Sequence, residues 1–202
     1  MKAKILPAAF YQRNTKLVAR ELLGKTLYHR KDAITTSGII IETEAYLGIH
    51  DPACHTFGGR STPRVQSMYR AGGCSYVYFI YGIHFCFNVV TQSEGEPEAV
   101  LIRALLPLEG IEVMKQRRGL VVEKNLCSGP GKLCQALAID SSCDGLDLQG
   151  PQLYIQETIL PSKIKIQSGP RIGIASVGEA KHWPLRFFCD PNLLKLAKLQ
   201  GV

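Results

Sequence analysis

The chain has 202 residues, 46% of them apolar and 20% charged, which is enough to bury one sizeable core and too apolar for a disordered protein. No window approaches the roughly eighteen apolar residues of a membrane span, and the start Met-Lys-Ala-Lys lacks the apolar stretch of a secretory signal, so a globular intracellular domain is expected. The formal charge of +7 favours a polyanionic partner over an acidic or neutral one. Seven cysteines without a CxxC pair fit a reducing cytoplasm better than a disulfide framework.

In chain order, Asn14 is placed to cap a helix over Thr15 to Leu23 that presents Leu17, Val18 and Leu22 to a core and stops at Gly24. Two strands are expected between Leu27 and Gly48 around a turn near Lys31 to Gly38. The second strand is apolar through Ile39-Ile40-Ile41 and then delivers Glu42-Thr43-Glu44-Ala45-Tyr46. With a period of two, Glu42, Glu44 and Tyr46 share one face and Ile41, Thr43 and Ala45 the other. Carboxylates beside apolar surface cost several kcal/mol unless paired, and desolvation raises their pKa toward the range useful for proton transfer. A catalytic pair and an ordinary emerging strand both remain open on this pattern alone.

Residues Pro52 to Gly73 are rich in Gly, Pro, Ser, Thr and Arg and read as a long loop of the kind that carries function. His50 and His55 flank Asp51 and Cys54 but lack zinc-site spacing, so no metal or other cofactor is expected. Tyr76 to Tyr81 and Ile83 to Val90 form two strand-like runs meeting at Tyr81-Gly82, which predicts a β-hairpin. Phe79, Phe85 and Phe87 can supply a sheet core, whereas a ring at a hairpin tip cannot be buried by its own sheet and calls for a partner. Arg60, Arg64, Arg70 and Arg103 lie close enough in sequence to suit a phosphate backbone, with Tyr81 as a wedge into a base stack.

Helices follow over Glu109 to Arg118 and, behind a cap at Ser128, over Pro130 to Ile139, with Leu133, Ala136 and Leu137 on one side. Strands are expected again around Leu153 to Gln156 and Gly169 to Val177.

Ordered motifs along nearly the whole chain resemble the alkyladenine (3-methyladenine) DNA glycosylases of the mammalian type, in a compact, bacterial-like form. They are Ile41-Glu-Thr-Glu-Ala-Tyr-Leu-Gly48, His55, Gly58-Gly-Arg-Ser-Thr-Pro-Arg64, Tyr76-Val-Tyr-Phe-Ile-Tyr-Gly82 and Cys86-Phe-Asn88. Leu101-Ile-Arg103, Pro107-Leu-Glu-Gly110, Leu126 to Leu137, Arg171-Ile-Gly173 and Pro184-Leu-Arg-Phe187 continue the series. The resemblance implies a single α+β domain over residues 1–202, built on a curved, mainly antiparallel sheet with flanking helices and a protruding β-hairpin. It implies a monomeric, monofunctional enzyme acting on double-stranded DNA that carries an alkylated or deaminated purine, without a membrane, working in a bacterial cytoplasm at the nucleoid or in a eukaryotic nucleus.

By the same resemblance Glu44 is the general base toward a water attacking the sugar C1′, and Arg103 helps hold that water, with the Ile172 carbonyl as a further anchor. Tyr46 and Tyr78 are the pocket aromatics, His55 contacts the base, and Asn88 opposes the exocyclic amine of guanine. Tyr81 is the intercalating residue, Met68 and Ile83 flank it, and Lys132, at the start of a helix with free amides, contacts phosphate. No lysine stands at the acid's position, which implies hydrolysis without strand cleavage. Two departures stand out: His84 replaces a family tyrosine, and Ser93-Glu-Gly-Glu-Pro-Glu98 is longer and acidic. Neither is expected to touch the pocket. A glycoside hydrolase using the same acid pair and a noncatalytic binder of damaged DNA are the rival readings.

Overall fold

The strand Ile34–Tyr46 is the spine of the molecule. In the computed structural model, which describes residues 4–120, 122–123, 125–158, 165–174 and 177–192, it is β2 of an eight-stranded sheet. The elements before and after it are α1 (Ala8–Tyr11), α2 (Thr15–Glu21), β1 (Thr26–Lys31), β3 (Ser75–Ile80), β4 (His84–Thr91) and β5 (Glu98–Glu109). They continue with α3 (Ile111–Arg118), α4 (Pro130–Leu137), β6 (Leu153–Gln156), β7 (Gln167–Gly169) and β8 (Arg186–Phe188). The main path runs β3-β4-β5-β2-β1-β6, with β8 joining β2 and β7. Every described strand pairing is antiparallel. The architecture is the expected α+β single domain.

Local chemistry accounts for much of this. Asn14 caps α2, its side chain accepting from the N–H groups of Lys16 and Leu17. Val18 and Leu22 enter the core as expected, whereas Leu17 is exposed. The β1–β2 turn is tighter than expected, confined to Asp32 and Ala33, both at positive φ. Such a turn matches the twist of the flanking strands. Ser128 does not cap α4. Gly129 occupies that position, and the Ser128 hydroxyl donates to the Asn125 carbonyl instead. Among the described residues the expected strand over Gly169 to Val177 does not form beyond Gly169, which ends β7: Pro170 to Ile174 run as an irregular segment, and residues 175–176 lie outside the described residues.

The sheet divides two apolar clusters by alternation. Val77, Val89 and Val100 belong to the main core with Val18, Leu22, Leu133 and Leu137. Their neighbours Tyr76, Val90 and Ala99 belong to a smaller cluster with Cys54, Val65 and Met68. Period-two side chains make these opposite faces. The second face is covered by the segment after Tyr46, which includes the long loop expected over Pro52 to Gly73. It winds through three short 3₁₀ turns, Gly48–His50, Phe57–Gly59 and Pro63–Tyr69. A cavity remains between this cover and the sheet.

Candidate active site

Two irregularities in the β2–β5 ladder shape the acid pair. Ile40 faces Leu105 and Glu42 faces Ala104, and then Thr43 faces Ile102, leaving Ile41 and Arg103 without partners in that ladder. Bulges of this kind re-aim side chains. Here the extra residue on β5 is Arg103, and its guanidinium meets both acids: Nε lies 3.3 Å from Glu42 Oε1 and Nη1 lies 3.4 Å from Glu44 Oε1. Arg186, across β2 on β8, adds a second cation to Glu42 Oε1 at 3.0 Å.

Glu44 is 0% exposed and fully engaged. The Ile172 N–H donates to Oε1 at 2.8 Å, and the Tyr46 hydroxyl donates to Oε2 at 2.9 Å. Burial holds its carboxyl above the usual carboxylate range. Arg103, the Ile172 N–H and the Tyr46 hydroxyl pull it back down, and Glu42 pushes it up. The donors keep an ionised form attainable at a site where desolvation alone disfavours it.

The cavity beside this carboxylate measures about 500 Å³, within the size range of small-ligand sites. Tyr46, Arg103 and Ile172, the three residues bonded to Glu44, all lie on its wall, as do His55, Tyr78 and Asn88. His55 stands edge-on to Tyr78, centroids 4.6 Å apart, and its Nδ1 shares a 2.8 Å hydrogen bond with the Tyr76 hydroxyl. Burial, then Arg64 and Arg60, push the His55 pKa down, which favours the neutral ring. Asn88, 3% exposed, donates through Nδ2 to the Tyr76 carbonyl at 3.0 Å, which fixes the orientation of its amide.

The β3–β4 hairpin forms the cavity mouth. Tyr81 and Gly82 adopt positive φ of 54° and 70° at the tip, a conformation that glycine takes without strain and tyrosine rarely does. Tyr81 is 79% exposed and Ile83 is 70% exposed, and Tyr81 also reaches the cavity lining. Packed beside the hairpin at His84 stands the N-terminus of α4, with Gly129, Pro130, Gly131 and Lys132 on the wall. Among the described residues no group of His, Cys, Asp and Glu side chains is arranged to hold a metal, and no helix is long and apolar enough to cross a membrane.

A sequence model of the methylpurine-DNA glycosylase family matches residues 9–193. The chain belongs to that family. A protein of Desulfitobacterium hafniense named "Putative 3-methyladenine DNA glycosylase" is 49% identical over 197 residues, spanning 94% of this chain and 97% of its own length. Proteins of the same name from Clostridium acetobutylicum and Bacillus cereus are 48% and 47% identical, covering 91% of this chain in each case and 93% and 95% of their own lengths. The protein is thus a DNA glycosylase, a hydrolase of N-glycosidic bonds whose partner is DNA.

In this methylpurine-DNA glycosylase, Tyr46, His55, Tyr78, Asn88, Arg103 and Ile172 gather around one cavity, with Glu44 beneath its wall. Tyr81, Ile83 and Lys132 border it or project beside it. Met68 also lines the cavity, but from within the fold: it is 2% exposed and packs in the second apolar cluster. His84 was not expected at the pocket, yet it lines the cavity and packs against Gly131. The Ile172 residue was expected to act through its carbonyl, whereas the contact seen is its N–H to Glu44. Arg186, and the buried Asp51–Arg171 pair next to Tyr46, were missed as site residues. Both arginines lie in motifs that match the family, but only their ion pairs reveal what they touch.

Proposed function

We propose that this glycosylase excises alkylated purines, 3-methyladenine among them, and deaminated purines from duplex DNA, with Glu44 as general base toward water, and so begins base excision repair. The observation that carries the reading is the buried carboxylate, held by two hydrogen-bond donors and the Arg103 guanidinium, directly behind an aromatic cavity whose mouth bears an exposed tyrosine. A base within a duplex hides its glycosidic bond, so the nucleotide must be extruded, at a cost of about a few kcal/mol. Tyr81 fills the vacated space and slows the return of the base. The extruded purine lies among Tyr46, Tyr78 and His55, gaining about 1 to 3 kcal/mol per aromatic contact. A cationic alkylated base gains cation–π attraction in addition.

The chemistry follows from those positions. The C1′–N bond breaks with its electron pair leaving on the base, so a cationic alkylated purine departs neutral, and hypoxanthine departs as its anion, which takes up a proton from solvent. Water forms the new C1′–O bond and gives its proton to ionised Glu44. Arg103, paired with both acids, favours the ionised form of Glu44 before the step. For water to reach the carboxylate, one of the three covering groups has to yield. Tyr46 is the group that a stacked base presses against. Lys132, at the helix end beside the mouth, contacts a phosphate, and the protein acts as a monomer.

The test is excision from methylated duplex DNA and from a duplex with one hypoxanthine, assayed for both free base and strand breaks. Release of 3-methyladenine and hypoxanthine with intact strands is expected. Tight binding without release would overturn the hydrolytic reading in favour of a noncatalytic binder, and strand cleavage would overturn the monofunctional one.

A further inference from the structure

Asp51 and Arg171 form an ion pair whose side chains are both 0% exposed. Nothing in the proposed chemistry uses them. Arg171 Nη2 donates to Asp51 Oδ1 at 2.8 Å, and Nη1 donates both to Asp51 Oδ2 and, at 3.0 Å, to the Ala45 carbonyl. Asp51 also accepts from the N–H groups of Leu47 at 3.1 Å and Ala53 at 3.0 Å. The guanidinium carbon lies 4.8 Å from the centroid of the Tyr46 ring. Arg171 therefore grips the β2 backbone between Glu44 and Tyr46, stacks on Tyr46, and immediately precedes Ile172. Those last two residues supply the hydrogen bonds to Oε2 and Oε1 of Glu44.

We propose that the buried Asp51–Arg171 pair is a positioning device for the general base, one guanidinium holding in place both groups that hydrogen-bond the Glu44 carboxylate. The inference rests on the reading of Glu44 as the base. A buried ion pair is weak evidence for stability, because desolvation of the two charges offsets much of their attraction. Its retention here is explained by geometry: the irregular segment from Pro170 to Ile174 has no strand ladder to fix it. It is tied down at Pro170, whose carbonyl accepts from Arg186 Nε at 2.9 Å, and at Arg171.

The charged and titratable groups facing Glu44 are Arg103 and Glu42, with Tyr46, Tyr78 and Cys86 around it. Asp51 and Arg171 act on it through Tyr46 and Ile172. For loss of the Asp51 charge the two possible routes, charge and positioning, predict different signs, whereas for loss of Arg171 both predict a rise. Removal of the Asp51 charge would by electrostatics alone ease ionisation of Glu44, whereas loss of its hold on Arg171 would misplace two donors and make ionisation harder. All four contacts of Asp51 are donors, so an amide at this site sets its own N–H₂ against one of them.

The experiment compares Asp51→Asn and Arg171→Met with the native protein. It reads the titration of Glu44 by carbon NMR on glutamate-labelled protein and the pH profile of single-turnover excision from a hypoxanthine duplex. Both variants are expected to raise the Glu44 midpoint and the acid limb together by about one pH unit, equivalent to about tenfold slower excision below the midpoint. A midpoint that falls or stays unmoved in Asp51→Asn overturns the proposal, whatever Arg171→Met does, because loss of the Arg171 charge raises the midpoint by itself. Should a single variant fail to fold, Asp51→Leu combined with Arg171→Met removes both charges and is expected to show the same rise, with an unchanged midpoint overturning the proposal. The NMR titration does not depend on turnover. If Glu44→Gln retained excision, the general-base reading would fail while the midpoint shifts still tested the positioning.

Discussion

Arg103 spans the two acids of the site, 3.3 Å from Glu42 and 3.4 Å from Glu44, and Glu42 alone has a second cation in Arg186. The roles of the acids diverge accordingly. Glu44→Gln is expected to lower excision by about 10²- to 10⁴-fold, the usual contribution of a general base, with duplex binding retained. Glu42→Gln removes a like charge and frees Arg103 for Glu44, so it should move the acid limb of excision to lower pH with a much smaller loss of rate. Equal losses in single-turnover assays would show that the base has been misassigned.

The buried acid should also cost the fold stability. The Glu44 carboxyl is raised in the folded state, chiefly by burial. A raised folded pKa means a contribution that is full below the unfolded value of about 4.3 and lost as pH rises through the folded value. Glu44→Gln keeps the shape without the charge, so its melting temperature should exceed that of the native protein at neutral pH, and the gap should close on acidification. A neutral-pH melting point below the native one would contradict this.

Tyr81 contributes little to the core and stands at the cavity mouth. Tyr81→Ala should leave the unfolding free energy within about 0.5 kcal/mol of native, as for other surface changes. Excision from duplex should fall by about tenfold or more, in keeping with the 1 to 3 kcal/mol of one aromatic–base contact, and excision from single strands should fall less. Parallel losses on both substrates would remove the wedge role.

Asn88 is both a wall of the cavity and a strut, since its amide donates to the Tyr76 carbonyl. The fixed amide can reject the 2-amino group of guanine by overlap and by leaving a buried donor unpaired, a penalty of about 1 to 3 kcal/mol. Asn88→Ala is expected to excise guanine lesions faster relative to adenine lesions, besides lowering the melting temperature. A lowered melting point with an unchanged lesion ratio would leave only the strut.

Gly131 sits where a Cβ would approach His84 Cγ to 2.8 Å and His84 Cβ to 2.9 Å. Alanine is otherwise the better helix residue by about 1 kcal/mol, so Gly131→Ala sets propensity against overpacking, which costs about 1 to 3 kcal/mol. The variant is expected to be less stable and to shift the cavity wall, lowering excision. His84→Ala in the same chain should restore stability. Without that rescue, the His84 contact is not the cause.

The local features were legible in the sequence because they depend on near neighbours. Asn14 caps the helix that follows it, alternation places Glu42, Glu44 and Tyr46 on one face, and Tyr81-Gly82 forms a hairpin tip, each within a few residues. The ordered motifs carried the family as well, and they contain residues that line one cavity. The position of Arg103 was not legible. Its bulge lies where β2 is paired on both edges, by β5 and by β8, at Glu42 to Glu44, and no local pattern records those long-range pairings. Gly129 in the cap position of α4, His84 against Gly131, and the burial of Met68 likewise depend on how α4, the hairpin and the 3₁₀ cover meet around the sheet. Arg171 is the extreme case: it meets Asp51 across 120 positions of sequence and puts the Ile172 N–H on Glu44. Hydrogen bonds and ion pairs between such distant groups are decided by burial, which forces every enclosed charge to find a partner and exists only once the chain has folded.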